Sequence, residues 1–469
     1  MELPGASSGI VWRPHAGVNE GNPAPIGVIF AADADPDSRV SARPLDQAFA
    51  AGRWALLGRA LVGASGFVRT LVLARLLTPR DFGAMGATLV VLNAIEALTE
   101  TGFETALVQR REDVDRFYDS AFTLQVLRGI ALAAVLWIGA PLGAAFFREP
   151  VLIPVLRAVA LVVILRGLAN PAKVRWVRDL RFDTLFWWRL PEVVTSLVLA
   201  IVLALVLRNV WALVITFIAT QAVTTAVSHI LARRPVRLSL DRAPVRELAH
   251  YGKWVLATQV MLFLSLQGDN AFVARVLGVA ALGFYQVAFR IAELPIVGLT
   301  QVVSQVGLPS LSALHAERDR VTAWYFAALR IVLLAHAAFV ALVLLAGGPL
   351  TRLILGARWL PIVPALKILA VAMLLRSVVT LGGTLFNALG EPRLAYQLNA
   401  THLAIMAITI YPLARLLGGL EGVALSVALG LLGAAALYVW RIRAALGLGW
   451  RAQLAHLLAG DGGGAAAQA

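Results

Sequence analysis

The sequence predicts an all-α integral membrane protein, with about twelve transmembrane helices in two six-helix bundles. Three observations carry that prediction. Hydrophobic residues make up 59% of the 469 and charged residues only 14%, with a mean hydropathy of +0.78, too little polar surface for a water-soluble protein of this length. Apolar runs of roughly 20 residues recur along nearly the whole chain, each long enough to cross a hydrocarbon core of about 30 Å as a helix. Finally, Ala74-Arg75-Leu76-Leu77 leading to Gly83 is echoed by Ala274-Arg275-Val276-Leu277 leading to Gly283, at a constant offset of 200. One architecture is written twice.

Residues 1–50 are rich in Gly, Pro, Ala and Asp and lack the n-region, h-region and cleavage-site order of a signal peptide; they read as a disordered cytoplasmic tail. Six spans follow at roughly 54–77, 82–108, 118–147, 151–170, 190–208 and 210–231, forming an N-terminal bundle over 51–231. A basic cytoplasmic linker, 232–249, leads to six more at roughly 250–278, 283–310, 324–347, 361–389, 395–416 and 421–442, a C-terminal bundle over 250–442 with a cytoplasmic tail at 443–469. The breaks between spans carry turn chemistry, as in Thr78-Pro79-Arg80-Asp81, Arg148-Glu149-Pro150, Asn170-Pro171 and Gly390-Glu391-Pro392. Runs such as Val193 to Leu207 are apolar on every face, which rules out an alternating strand pattern.

The formal charge of +14 resembles a nucleic-acid footprint until its distribution is read. Lys and Arg concentrate in alternate short loops, 20 in one set against 6 in the other with the N-terminal tail left out, so the charge sets topology rather than binding nucleic acid. Both termini fall on the cytoplasmic side. An even number of spans per half gives the halves the same orientation, making them parallel repeats about an axis along the membrane normal. A second echo, Leu168-Ala169-Asn170-Pro171 with Leu389-Gly390-Glu391-Pro392, supports this at an offset of 221. Segment 173–189 mixes five basic residues with Trp176, Phe182, Phe186, Trp187 and Trp188. That make-up suits an aromatic belt with topogenic charges, or contact with an anionic lipid headgroup.

Charges inside spans cost about 2.5–3.5 kcal/mol each on insertion scales, so those that persist face a cavity or a partner. Asn93, Glu96 and Glu100 share one helix face. Arg290 and Glu293 form a looser stripe with Gln301 and Gln305, and the offset of 200 matches Arg69 with Asp269, suggesting opposite charges facing each other across a central cavity. Arg166 reads as a snorkelling anchor, and His336 and His402 as packed residues. No GxxxxGK[ST] phosphate cradle, metal-ligand spacing or cysteine is present, so neither ATP nor another cofactor is expected.

The stretches ARLLTPRDFGAM (74–85), TGFETALVQR (101–110), AAFFREP (144–150), RDLRFDTL (178–185), NVWALV (209–214), GDNAFVARVLGVAALGFYQVAFRIAELP (268–295) and GARWLPIVPALKILA (356–370) resemble the Wzx-type oligosaccharide flippases. These form the polysaccharide branch of the multidrug/oligosaccharidyl-lipid/polysaccharide exporter superfamily. The resemblance implies a MATE-like fold in the bacterial inner membrane and a non-enzymatic role, flipping undecaprenyl-diphosphate-linked oligosaccharide to the periplasmic leaflet by alternating access. It implies membrane lipid, a polysaccharide polymerase and chain-length machinery as partners. Substrate-binding candidates under it are Arg69, Arg128, Arg290, Arg376 and Asn270; candidates for proton or sodium coupling are Asp269, Glu293, Glu96 and Glu100. A cation-coupled drug exporter or lipid II flippase of the same superfamily stays open, as does a polytopic polymerase or ligase, although the longest outside loop, 348–360, is short for such an enzyme.

Overall fold

The computed structural model describes residues 43–99, 114–179, 181–232, 234–238, 259–313 and 317–458, and among these all regular structure is helical. The early helices are α1 (Arg43–Leu76), α2 (Pro79–Thr99), α3 (Val114–Phe147), α4 (Leu152–Gly167), the short α5 (Lys173–Arg178), α6 (Phe182–Leu207) and α7 (Trp211–Ala232). The later ones are α8 (Gln259–Leu277), α9 (Val279–Ala292), α10 (Gln301–Ala313), α11 (Arg318–Ile354), α12 (Val363–Ala388), α13 (Pro392–Leu416), α14 (Leu420–Leu446) and α15 (Trp450–Leu458). The first described residues, from Arg43, are already helical inside the stretch expected as tail, and α15 occupies part of the expected C-terminal tail. Most of the expected linker lies outside the described residues.

Among the described residues eight helices are long and apolar enough to cross a membrane, or nine if α9 and α10 form one bent span. The remaining expected spans fall short for separate reasons. At 16 residues α4 reaches only about 24 Å. The polar run of Gln397, Asn399, Thr401 and His402 lowers α13, while α1 carries Arg53, Arg59, Arg69 and Arg75.

Breaks form where local chemistry calls for them. Thr78 and Asp81 make a reciprocal cap on α2, Thr78 N donating to Asp81 Oδ2 at 2.9 Å and Asp81 N to Thr78 Oγ1 at 3.3 Å, with Pro79 at the first helical position. Asn170 Oδ1 accepts from Ala172 N at 3.0 Å and turns the chain from α4 into α5. Gly278, at φ 96°, breaks α8 from α9 in a conformation that L side chains resist. The stretch 268–295 thus becomes a helix end with one π-turn (Val273–Leu277), then α9; a 43° bend follows at Glu293-Leu294-Pro295 before a second π-turn (Ile296–Thr300).

Packing falls into two groups. In the first, α1 packs on α6, α6 on α7, α7 on α4, and α4 on α3 and α2; in the second, α12 is the hub for α9, α10, α11 and α14, with α13 on α14. The principal bridge between the groups is α2 against α9. There Gly83 faces the backbone of α9 and Gly283 the backbone of α2: a Cβ on Gly83 would lie 1.7 Å from Val279 O, and one on Gly283 1.8 Å from Pro79 O. The two glycines of the echo meet as mutual partners. That reciprocity is what a pseudo-two-fold axis between them requires.

Candidate functional site

A cavity of about 690 Å³ lies within the first group, walled by α1, α2, α3, α4, α6 and α7 and closed by Gln286, Val287 and Arg290 of α9. Its walls are largely apolar, yet five cations line it, Arg69, Arg128, Arg166, Lys173 and Arg290, against two carboxylates, Glu96 and Glu192. Asn170, Pro171, Lys173 and Val174 mark one end, beside the basic 171–189 loop; Phe82, Met85 and Gly86 mark the other, next to the Gly83–Gly283 crossing.

Each guanidinium is held by a polar group from another helix. Arg69 of α1 donates to the Ser196 hydroxyl of α6. Arg290 of α9 donates through Nη1 to Thr70 Oγ1 at 2.8 Å, which puts a second guanidinium on the same wall as Arg69. Arg166 forms an ion pair with Glu96, Nη1 to Oε1 at 2.6 Å, bonds Gln221 Oε1 at 3.2 Å and stands over the Phe217 ring at 5.7 Å. Arg128 reaches Glu96 O at 3.3 Å and Thr99 Oγ1 at 3.4 Å. The result is a helix-walled chamber of fixed planar cations, chemistry suited to an anion with several oxygens, phosphate above all.

The remaining candidates lie elsewhere. Asp269, only 6% exposed, accepts from the Tyr285 hydroxyl at 2.7 Å and from Asn270 N at 2.7 Å. Asn270 Oδ1 accepts from Gln286 Nε2 at 3.4 Å, so this buried network touches the cavity only through Gln286, for which Gly86 leaves room. Arg376 stands 3.8 Å from Glu293 and 6.0 Å from the Phe289 ring, away from the cavity lining. The expected pairing of Arg69 with Asp269 does not form. Each is satisfied within its own surroundings, Arg69 by Ser196 and Asp269 by Tyr285. Of the candidates Arg69, Arg128, Arg290 and Glu96 are brought together, and Glu100 lies outside the described residues.

Two charges carry more than the sequence suggested. Arg166 is a cavity cation locked to Glu96 rather than a snorkelling anchor. Glu192 also lines the wall, one turn before Ser196 on the face that meets Arg69. Its signal was an acid just after Pro191 in an otherwise apolar run.

Residues 72–364, more than half of the chain, match the family described as polysaccharide biosynthesis protein. The chain belongs to this family. Among its relatives is the lipopolysaccharide biosynthesis protein WzxC of Escherichia coli (strain K12), 24% identical over 391 residues that cover 82% of this chain and 78% of the relative. Two solved structures are similar to it in fold. The lipid II flippase MurJ in an inward closed conformation aligns at a TM-score of 0.71 and 14% identity, over 87% of this chain and 90% of that one. A multidrug resistance MATE family transporter of the MOP superfamily, inward-facing, aligns at 0.63 and 17%, over 84% and 99%. The family member is thus a multi-pass membrane protein with the helical architecture of those transporters.

Proposed function

We propose that the protein flips an undecaprenyl-diphosphate-linked oligosaccharide from the cytoplasmic to the periplasmic leaflet of the inner membrane, for assembly of a surface polysaccharide. The observation that carries this reading is the cationic cavity, whose lining runs from Asn170, Lys173 and Val174 beside the basic loop to Phe82 and Met85 beside the Gly83–Gly283 crossing. Taking the basic end as cytoplasmic, the chamber faces the leaflet on which a lipid-linked precursor is made. Arg69, Arg290 and Arg128 are the groups assigned to the diphosphate, whose oxygens match their planar forks. Arg376 and Asn270 are assigned no substrate contact. The two helical groups, which meet at the α2–α9 crossing, act as the halves that rock to expose the chamber to either side. The reading is of a carrier without a catalytic step; its surface-polysaccharide role is in keeping with the name of the E. coli relative, a lipopolysaccharide biosynthesis protein.

Deleting the gene and locating lipid-linked oligosaccharide with a membrane-impermeant probe, on intact cells and on inverted vesicles, tests it. The expected result is precursor trapped on the cytoplasmic leaflet and released by plasmid-borne protein. Single repeat units that reach the periplasm but stay unpolymerised or unligated would instead point to a polymerase or ligase.

A further inference from the structure

The offset of 200 makes a structural demand beyond the two glycines. If the halves met symmetrically at the sealed end, the matched residues Arg75 and Arg275 would be held alike. They are not. Arg275 lies over the Phe146 ring at 5.3 Å, and its Nη1 is buried without a hydrogen-bond partner. On the other side the segment Leu353–Trp359, which joins α11 to α12, is bound across the gap to the end of α1. Arg75 donates through Nε to Ile354 O at 2.6 Å and through Nη2 to Leu353 O. Arg358 Nη1 donates to Leu77 O at 3.2 Å, and the indole N–H of Trp359 to Ala74 O at 2.7 Å.

Trp359 is the centre of this strap. It is fully buried, and its ring meets Phe82 of α2 edge-on at 5.4 Å and Phe284 of α9 edge-on at 5.7 Å. One side chain therefore touches all three helices of the closed end, α1, α2 and α9. Its donor satisfies a carbonyl in the last turn of α1, a kind of group that helix ends leave unpaired. The Gly83–Gly283 contact supplies closeness without any side chain.

We propose that Trp359 is the latch of the outer seal, a positioning residue whose withdrawal from between Phe82 and Phe284 is required before the cavity opens to the outer side. The proposal deepens the transport reading by naming the group that holds the inward-facing state. Its test involves no transport, so either can fail without the other.

The chain contains no cysteine, so a single introduced thiol is read against a blank background. Met85 lines the cavity just below the seal. In the M85C protein, labelling by a membrane-impermeant maleimide is measured from the outer face in spheroplasts and from the inner face in inverted vesicles. The expected result is slow outer labelling that Trp359→Ala raises at least tenfold while the inner rate stays level or falls. Should Trp359→Ala not reach the membrane, Trp359→Phe, which keeps ring contacts but cannot donate, is expected to raise outer labelling at least threefold. An outer rate unchanged by the substitution overturns the proposal. So does a rise from both faces together, which would report loosened packing rather than a released latch.

Discussion

The two helical groups share an architecture but differ in what fills them. In the first, only 17% of the apolar window of α6 and 28% of that of α7 is buried, and the space between helices is a chamber lined by five cations and two carboxylates. In the second, α8 and α11 are no more buried, at 17% and 28%, but the central α12 and α14 reach 56%, and large side chains such as Phe386, Tyr438 and Tyr325 fill the centre. Intramembrane charges follow the same division. Those of the first group point into a volume, whereas Asp269 is satisfied within packed helices and the partly exposed Arg376–Glu293 pair stands outside the cavity lining. A duplicated fold has thus kept its frame and placed its binding chemistry mainly on one side, with α9 supplying Arg290 across the boundary.

The largest effect is expected where the groups meet. Gly83→Ala puts a methyl 1.7 Å from a backbone carbonyl, a clash that no rotamer relieves. The cost should reach or exceed about 3 kcal/mol, the upper end for overpacking. Thermal melting of the purified protein checks it, and an unchanged midpoint would remove the crossing from the account. A smaller effect is expected at the Arg166–Glu96 pair, which is partly open to the cavity. Breaking it with Glu96→Gln should cost about 1–2 kcal/mol, below the 3–5 seen for fully buried pairs. The double variant Glu96→Gln, Arg166→Gln should recover part of that loss in the same melting measurement.

The frame was legible in the sequence because hydropathy and turn chemistry are local. Thr78-Pro79-Arg80-Asp81 announced the start of α2, and the offset of 200 picked out Gly83 and Gly283 before their contact was visible. The site was legible in part. Arg69, Arg128, Arg290 and Glu96 stood out as charges in apolar runs, but which of them shared a space depended on helix rotation and crossing, which spacing along one helix does not encode. Equivalence by repeat misled for the same reason. Arg69 and Asp269 match in sequence, yet the neighbour that satisfies each is non-equivalent, Ser196 for one and Tyr285 for the other. Trp359 lay in the stretch 356–370 that carried the family resemblance, but nothing there marked its role, since its partners are a main-chain carbonyl and ring edges contributed by α1, α2 and α9.

The first group, with Arg290, is assigned the anionic headgroup, and Asp269 and Arg376 of the second are assigned none. Binding of undecaprenyl diphosphate to the purified protein in nanodiscs tests it most directly, comparing Arg69→Gln, Arg290→Gln with Asp269→Asn, Arg376→Gln. The first pair is expected to weaken binding at least about tenfold, from the loss of charge-assisted hydrogen bonds worth about 1.5–3 kcal/mol each, and the second pair to leave it within about twofold of the unaltered protein. Equal affinity for the first pair, or a larger loss for the second, would contradict it.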